Sequence, residues 1–173
     1  MKPVIFKLPN HSADKNYLLS TISESKTSTS RISEIENIDN TDFSIKEDKK
    51  YFNYFWDKNS AFIANIIRYS INYDGLWALS DDPWFQQYVS GNNHDWHFHK
   101  NSFWNFVYFL EMPDDGPSTE FKEPFTGNIF SLKIEEGDLL VFPSQYIHRS
   151  PFNTSKERKT IIAFNITYEY SNE

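Results

Sequence analysis

The second half of the chain alternates short β-like runs with turn-forming residues, and this alternation narrows its fold more than any other feature. The runs are LWAL, WFQQYV, DWHFH, FWNFVYFLEM, NIFSLKI, DLLVF and KTIIAFNITYEY. Between them lie DDP, SGNN, PDDGP, EEGD, FPS and PFNTS, whose Gly, Pro, Asn, Asp and Ser residues each favour turns. Seven or eight short strands at this spacing are typical of a β-sandwich or jelly roll.

The first 74 residues have a different pattern, which predicts elements that support the β-rich part. KPVIFKL, residues 2–8, predicts a lone edge strand bounded by prolines. The Ser/Thr-rich tract over 11–44 has the composition of a loop or a weak helix. Apolar residues at helical spacing predict helix over 45–72, broken at Asp57-Lys-Asn-Ser, where Ser60 would cap a second helix. We expect the helices to cover one face of the major sheet.

Length and composition favour one soluble, cytoplasmic domain over 1–173. Residues 1–74 would form the N-terminal strand, polar loop and supporting helices, and 75–173 the jelly-roll catalytic core. The chain has no cysteine, which excludes disulfides, thiolate metal sites and cysteine nucleophiles. Its net charge of −7 without a basic stripe argues against nucleic acid as a partner. No segment approaches the roughly 18 consecutive apolar residues of a membrane span.

Histidines supply a candidate metal site. The stretch HDWHFHKNS, 94–102, holds three of the five histidines in the chain. Residues two apart on a strand share a face, so His97 and His99 would point the same way. Two such imidazoles can bind one ion when a third ligand joins them, and His148 at the end of DLLVFPSQYIH is the obvious donor. An ion held on one face by three groups keeps positions open for oxygen.

A cation and a hydroxyl follow on the last predicted strand. Arg158 and Thr160 share a strand face by the same two-residue spacing. A guanidinium binds a carboxylate through two hydrogen bonds, and a neighbouring hydroxyl can add one more. A dicarboxylic co-substrate could therefore bind the metal at one end and be anchored here at the other.

Several nearby polar residues have ordinary interpretations. His94 is expected to be a solvated turn residue of SGNNHD, and Asp95 has the wrong strand parity to join His97 and His99. Lys159 is expected to face solvent with its charged neighbours.

These motifs resemble the double-stranded β-helix family of iron(II)- and 2-oxoglutarate-dependent oxygenases, with its jelly-roll, cupin-like core, and in particular small bacterial and phage-type members with an HxH motif. The resemblance covers about residues 84–170. It lies in His97-Phe-His99, Gly137-Asp138, Phe142-Pro143 leading to His148, and Arg158-Lys-Thr160. It implies that the three histidines bind iron, that Arg158 pairs with the distal carboxylate of 2-oxoglutarate, and that Thr160 supplies the hydroxyl.

The chain also departs from that family at three positions. His99 stands where most members have a carboxylate ligand, which gives the site one more positive charge and suits nickel, copper and zinc as well as iron. Asn105-Phe106 replaces Ser-Gly, and Phe109 replaces a tyrosine that reaches the co-substrate in relatives. Asn105 shares the strand face of Phe109 and could supply a polar contact to the co-substrate instead.

The resemblance implies an enzyme that uses Fe(II), 2-oxoglutarate and O2 to hydroxylate its substrate, with release of succinate and CO2. The substrate is a small molecule or a polypeptide side chain such as proline, and whether the chain forms a homodimer is left open. Two alternatives stay open as well. One is a three-histidine cupin-type dioxygenase that does not use 2-oxoglutarate, and the other is a non-catalytic jelly-roll binding protein.

Overall fold

The computed structural model describes residues 1–32 and 36–169. Within these ranges the chain is mainly β, with two α-helices, α1 (His11–Ser23) and α2 (Lys50–Asn65). The strands are β1 (Val4–Lys7), β2 (Ser28–Ile32), β3 (Glu36–Thr41), β4 (Trp77–Leu79), β5 (Trp84–Tyr88), β6 (Asn93–His97), β7 (Trp104–Glu111), β8 (Glu120–Lys122), β9 (Ile129–Ser131), β10 (Asp138–Pro143), β11 (His148–Ser150) and β12 (Lys159–Tyr168).

The twelve strands form one antiparallel sheet in the order β1-β10-β7-β12-β5-β3-β6-β11-β8-β9, with β2 beside β3 and β4 beside β12. The sheet curls on itself, since residues of β5, β6, β7, β11 and β12 line one common cavity. This arrangement confirms the predicted double-stranded β-helix, or jelly-roll, core with N-terminal helices. The edge strand predicted at residues 2–8 is also confirmed, because β1 pairs only with β10 in this order.

The helices pack against one face of the sheet, as the sequence predicts. On α2, the rings of Phe52 and Phe55 lie 5.5 and 5.9 Å from the ring of Phe164 on β12. Burial of each such aromatic side chain contributes roughly 1.5–3 kcal/mol. The opposite face of β12 is thereby left for the cavity. Neither described helix is both long and apolar enough to cross a membrane.

Two expectations for the N-terminal region are corrected. Helix α2 is not broken at 57–60 but runs through to Asn65 and continues as a π-helical segment, Ile66–Ser70. Packing of its aromatic face against the sheet overrides the weak local break. For the tract over 11–44 the loop alternative is wrong and the helix alternative holds only for α1, since the described part of the tract also contains β2 and β3. Strand β3 pairs with both β5 and β6, so this tract completes the curled sheet.

A buried polar cluster joins the N-terminal end of α2 to the sheet. Asp42 accepts a hydrogen bond of 2.8 Å from the Tyr51 hydroxyl and another of 2.8 Å from the main-chain N–H of Phe85. The Lys49 ammonium lies 3.3 Å from the same carboxylate. Burial and the Asp42 charge raise the pKa of Tyr51. Because each buried polar group has a partner, the cluster fixes α2 without leaving an uncompensated charge.

Candidate metal centre

Three histidines meet at the bottom of the cavity. His97, the last residue of β6, is the direct partner of His148, the first residue of β11. His99 follows β6 by two residues and lies outside any strand. One ring nitrogen from each of the three residues lies within 4.8 Å of the others. The structure thus brings together the three ligands that the sequence predicts, although His99 does not reach the cluster by strand alternation.

Main-chain carbonyls orient two of the three rings. His97 Nδ1 lies 2.7 Å from the carbonyl oxygen of Asp95, and His148 Nδ1 lies 3.0 Å from that of Tyr146. A carbonyl oxygen can only accept, so Nδ1 carries the proton in both rings. The Nε2 lone pair of each is therefore free for a metal ion, the usual arrangement at metal-binding histidines.

Side chains orient the ring of His99. The Trp84 ring is stacked on it, with centroids 5.7 Å apart and an interplanar angle of 20°. The side-chain amide of Asn165 on β12 lies 3.0 Å from His99 Nδ1. The main-chain N–H of His99 donates to the carbonyl of Ser144 over 3.3 Å. Sequence reasoning missed Asn165 and Trp84, although their strand parity with other cavity-facing residues could have indicated them.

The three imidazoles are neutral over a wide pH range. Burial lowers the pKa of His97. Burial and the neighbouring His97 lower the pKa of His99 to about 4. Burial and the neighbouring imidazoles hold the pKa of His148 well below its usual value. A neutral imidazole is the form that binds a metal, so the cluster has suitable donor chemistry for a divalent ion.

His94 belongs to this site, which corrects its expected place in a solvated turn. The turn is shorter than SGNNHD suggests, and His94 lies within β6. Its ring is stacked on that of His97, with centroids 3.8 Å apart and an interplanar angle of 8°. Burial, with the nearby His97 and His99, lowers its pKa to about 3. His94 therefore lines the cavity as a neutral imidazole.

Asn105 lines the cavity, as expected from its strand face. Its side-chain oxygen accepts a hydrogen bond of 2.7 Å from Ser144 Oγ. Its Nδ2 group is buried and finds no hydrogen-bond acceptor among the described residues. A buried donor without an acceptor is costly, so this amide is suited to a ligand that carries an acceptor oxygen. Phe109, by contrast, packs within a hydrophobic cluster.

Arg158 and Thr160 do share a face, but the structure does not bring that face to the cavity. The Arg158 guanidinium donates two hydrogen bonds, of 2.8 and 2.9 Å, to the carboxylate of Glu111. The Thr160 hydroxyl donates to the same carboxylate and accepts from Gln87. Arg158 is 43% exposed, and neither residue lines the cavity. The carboxylate that the guanidinium binds is therefore one of the protein's own.

Lys159 is buried instead, behind residues that line the cavity, which corrects its expected exposure to solvent. The side chain is fully buried, and Nζ donates a hydrogen bond of 2.5 Å to Ser150 Oγ. Nζ also lies 4.7 Å from the centre of the Tyr88 ring. Ser150 and Tyr88 both line the cavity, so the ammonium is next to it. Burial lowers the pKa of Lys159 to about 7, because a hydroxyl and an aromatic ring do not replace a carboxylate.

The cavity has a narrow inner part and a wide outer part. The inner cavity, about 50 Å³, is lined by the histidines together with Trp84, Asn105, Ile161 and other residues of the curled sheet. The outer groove has a volume of about 750 Å³. It is lined by His94, His97 and His99 and also by Phe43 and Phe98. These two phenylalanines are 62% and 51% exposed, so the groove presents apolar surface to solvent.

No protein-family model and no curated protein matches the sequence. Solved structures do match. A prolyl-4-hydroxylase from Pseudomonas putida has 14% identity and a TM-score of 0.69, over 97% of this chain and 93% of that one. A protein of the 2OG-Fe(II) oxygenase family from Burkholderia pseudomallei has 7% identity and a TM-score of 0.76, and the match covers 95% of this chain and 84% of that one. A prolyl hydroxylase from Trichoplax adhaerens, in complex with a peptide fragment of hypoxia inducible factor, has 12% identity and a TM-score of 0.67. This match covers 94% of this chain and 82% of that one.

These matches extend over nearly the whole chain at very low identity, so what they establish is the fold. They agree with the resemblance drawn from the HFH, GDLLVFP and RKT motifs. The chain has the double-stranded β-helix fold of the 2OG-Fe(II) oxygenases.

Proposed function

We propose that the chain is a non-haem iron(II)- and 2-oxoglutarate-dependent oxygenase that hydroxylates a polypeptide side chain. One observation carries the proposal. Three neutral imidazoles meet in a cavity next to a fully buried lysine whose hydrogen bond goes to a hydroxyl rather than to a carboxylate. Such a pocket has a place for a divalent metal ion and, beside it, a place for an acid.

The histidine cluster fits iron(II). His97, His99 and His148 would hold the ion on one side, and the remaining coordination positions would face the cavity. Bound iron(II) would supply the activation of O2 that couples oxidation of 2-oxoglutarate to hydroxylation of a C–H bond. The protein would hold the reactants in place, and apolar side chains such as Val107, Ile161 and Ala163 would exclude water from the reacting groups.

Lys159 rather than Arg158 would bind the distal carboxylate of 2-oxoglutarate. Its buried ammonium lacks the carboxylate that Arg158 already has in Glu111. An incoming dicarboxylate would replace the water lost on burial and so stabilise the charged form of the lysine. The free Nδ2 donor of Asn105 would bind a further oxygen of the same acid.

The outer groove would bind the substrate. Its volume of about 750 Å³ is far larger than that of the inner cavity and lies within the range of pockets that bind a ligand. The exposed rings of Phe43 and Phe98 provide apolar contacts on a surface open to solvent, as expected for a peptide segment. The Trichoplax prolyl hydroxylase, which has the same fold, was solved with a peptide. A proline side chain is the substrate we would test first.

The test is production of succinate. Purified protein would be incubated with iron(II), 2-oxoglutarate and a library of proline-containing peptides, and succinate and peptide mass would be followed. We expect succinate to form in proportion to a 16 Da gain on a peptide, the mass of one oxygen atom. Peptide oxidation without 2-oxoglutarate, or no turnover with any peptide or metabolite, would contradict the proposal.

A three-histidine dioxygenase that acts directly on a chelating substrate is the second candidate. The all-imidazole ligand set favours it, because His99 stands where the first candidate usually has a carboxylate. The buried Lys159 discriminates between the two. Thermal stabilisation by 2-oxoglutarate or N-oxalylglycine that depends on Lys159 would argue against the second candidate.

A further inference from the structure

We infer that Asn165 is a positioning residue that decides which nitrogen of His99 faces the metal ion. The inference rests on the proposed metal centre. It concerns a residue on β12 that is 2% exposed and lines both the inner cavity and the outer groove. Its side-chain amide lies 3.0 Å from His99 Nδ1.

His99 differs from the other two ligands in how its ring is held. His97 and His148 each have Nδ1 against a main-chain carbonyl, that of Asp95 in β6 and that of Tyr146 in the turn before β11. His99 lies beyond the end of β6, and its Nδ1 faces a side chain instead. The stacked Trp84 ring fixes the plane of the imidazole. Stacking does not distinguish the two nitrogens, so that choice depends on the hydrogen bond to Asn165.

The chemistry of the amide explains why this matters. The hydrogen bond made by one ring nitrogen sets which nitrogen carries the proton and which binds a metal. An Asn165 oxygen turned to His99 accepts from Nδ1–H and leaves the Nε2 lone pair for the ion. An Asn165 NH2 group turned to His99 instead requires an unprotonated Nδ1, which places the proton on Nε2. In the structure the NH2 group of Asn165 faces His99 Nδ1 over 3.0 Å, so metal binding through Nε2 requires the amide to turn by half a rotation and present its oxygen.

Asn165 lies beside another cavity-lining asparagine in the sheet. In the register of β12 and β7 its direct partner is Asn105, whose oxygen is already engaged by Ser144. Loss of the Asn165 amide would leave His99 Nδ1 in a buried site without its partner. Partners of this kind usually account for 10- to 100-fold in metal affinity.

Two substitutions separate positioning from packing. Asn165→Asp keeps an acceptor for Nδ1–H and removes the donor, whereas Asn165→Leu keeps the approximate size and removes both. Co(II), added alone, would serve as the probe, with affinity from competition against a chelator and ligation from its visible spectrum. We expect Asn165→Leu to weaken Co(II) binding about 10- to 100-fold and to change the visible bands. Asn165→Asp should bind Co(II) at least as tightly as the unmodified protein.

The matched control is Asn59→Leu. Asn59 is a buried asparagine of α2 that donates to the carbonyl of Phe55, remote from the histidines. It should lower stability to urea without a change in Co(II) affinity. Circular dichroism would confirm that each variant is folded at the temperature of the titration.

Two results would overturn the inference: unchanged Co(II) binding in Asn165→Leu, or an equal loss in Asn165→Leu and Asn165→Asp. Other results would contradict the metal centre or the proposed reaction. If the unmodified protein binds no divalent metal, both the centre and the role of Asn165 are wrong. If the Asn165 variants behave as expected but no 2-oxoglutarate is consumed, only the reaction is wrong.

Discussion

Arg158 and Lys159 are neighbours in sequence, yet their cationic groups lie on opposite sides of β12. The Arg158 guanidinium binds Glu111 over 2.8 and 2.9 Å on the face turned away from the cavity. The Lys159 ammonium lies 2.5 Å from Ser150 Oγ, next to the cavity. A one-residue difference in a strand therefore decides which cation can meet a bound acid.

Substitution of these two residues should separate their roles. We expect Lys159→Met to abolish most of the thermal stabilisation by N-oxalylglycine, because the acid would lose a buried, charge-assisted partner worth roughly 1.5–3 kcal/mol. Arg158→Ala should retain it. The measurement is the shift in melting temperature against ligand concentration, with metal present.

The two variants control for each other, since each removes one of two cations that are adjacent in sequence. Loss of stabilisation in Arg158→Ala together with its retention in Lys159→Met would return the anchoring role to Arg158. Retention in both would show that the acid binds elsewhere.

Lys159 should also make stability depend on pH. The pKa of its ammonium falls from 10.5 to about 7 on folding, because the group is buried. Between these values the unfolded chain binds more protons than the folded one, so stability should rise with pH from about 7 to 10.5 and be flat below 7 from this source. The full rise would amount to roughly 4–5 kcal/mol. Urea unfolding at several pH values would measure it.

Lys159→Met should flatten that rise and increase stability at pH 7, since no charge is then buried. Other lysines and tyrosines titrate in the same range, so the difference between the variant and the unmodified protein is the informative quantity. A pH profile identical in both would contradict a buried ammonium.

His148→Ala should abolish Co(II) or Fe(II) binding at micromolar metal. It removes one of the three histidines among the described residues that would hold the ion and leaves two. Isothermal titration would measure the affinity. His11→Gln is the matched control, because His11 contacts Tyr108 and Glu136 outside the cluster. Equal affinities in His148→Ala and the unmodified protein would rule out the centre.

Asp42→Ala should destabilise the fold strongly. It leaves the ammonium of the buried Lys49 without its carboxylate and removes the acceptor of the Tyr51 hydroxyl. Breaking a buried pair in this way typically costs about 3–5 kcal/mol. Asp39→Ala breaks the exposed pair with Arg31 and should cost less than about 1 kcal/mol. Similar losses in the two variants, measured by urea unfolding, would contradict this difference.

Much of the fold could be predicted from sequence because strand and turn signals are local. The runs around β5, β7, β10 and β12 are short, rich in apolar residues and bounded by turn residues, as buried strands are. The tract over 11–44 could not be predicted in the same way. Strand β3 is stabilised by its neighbours β5 and β6, which are distant in sequence, and its own composition, ENIDNT, is polar.

The site was predictable where spacing alone decides it. His97 and His148 meet because a strand end and a strand start are paired, and His99 follows His97 by two residues. The place of His94 depended on where a turn stops, and a turn that ends before Asn93 puts its ring on His97. The choice between Arg158 and Lys159 depended on which face of β12 the helices cover. Neither position can be predicted from the residues next to it in sequence.

His99 is held by side chains rather than by strand pairing, and this affects which other metal ligands could take its place. Two of the candidate ligands, His97 and His148, are held in place by the backbone of paired strands. The third stands just past the end of β6 and takes its orientation from the side chains of Trp84 and Asn165. A few substitutions at this corner could exchange an imidazole for a carboxylate, and with it the preferred metal, while the barrel stays intact. This corner is where an engineer would begin to give the scaffold a new chemistry.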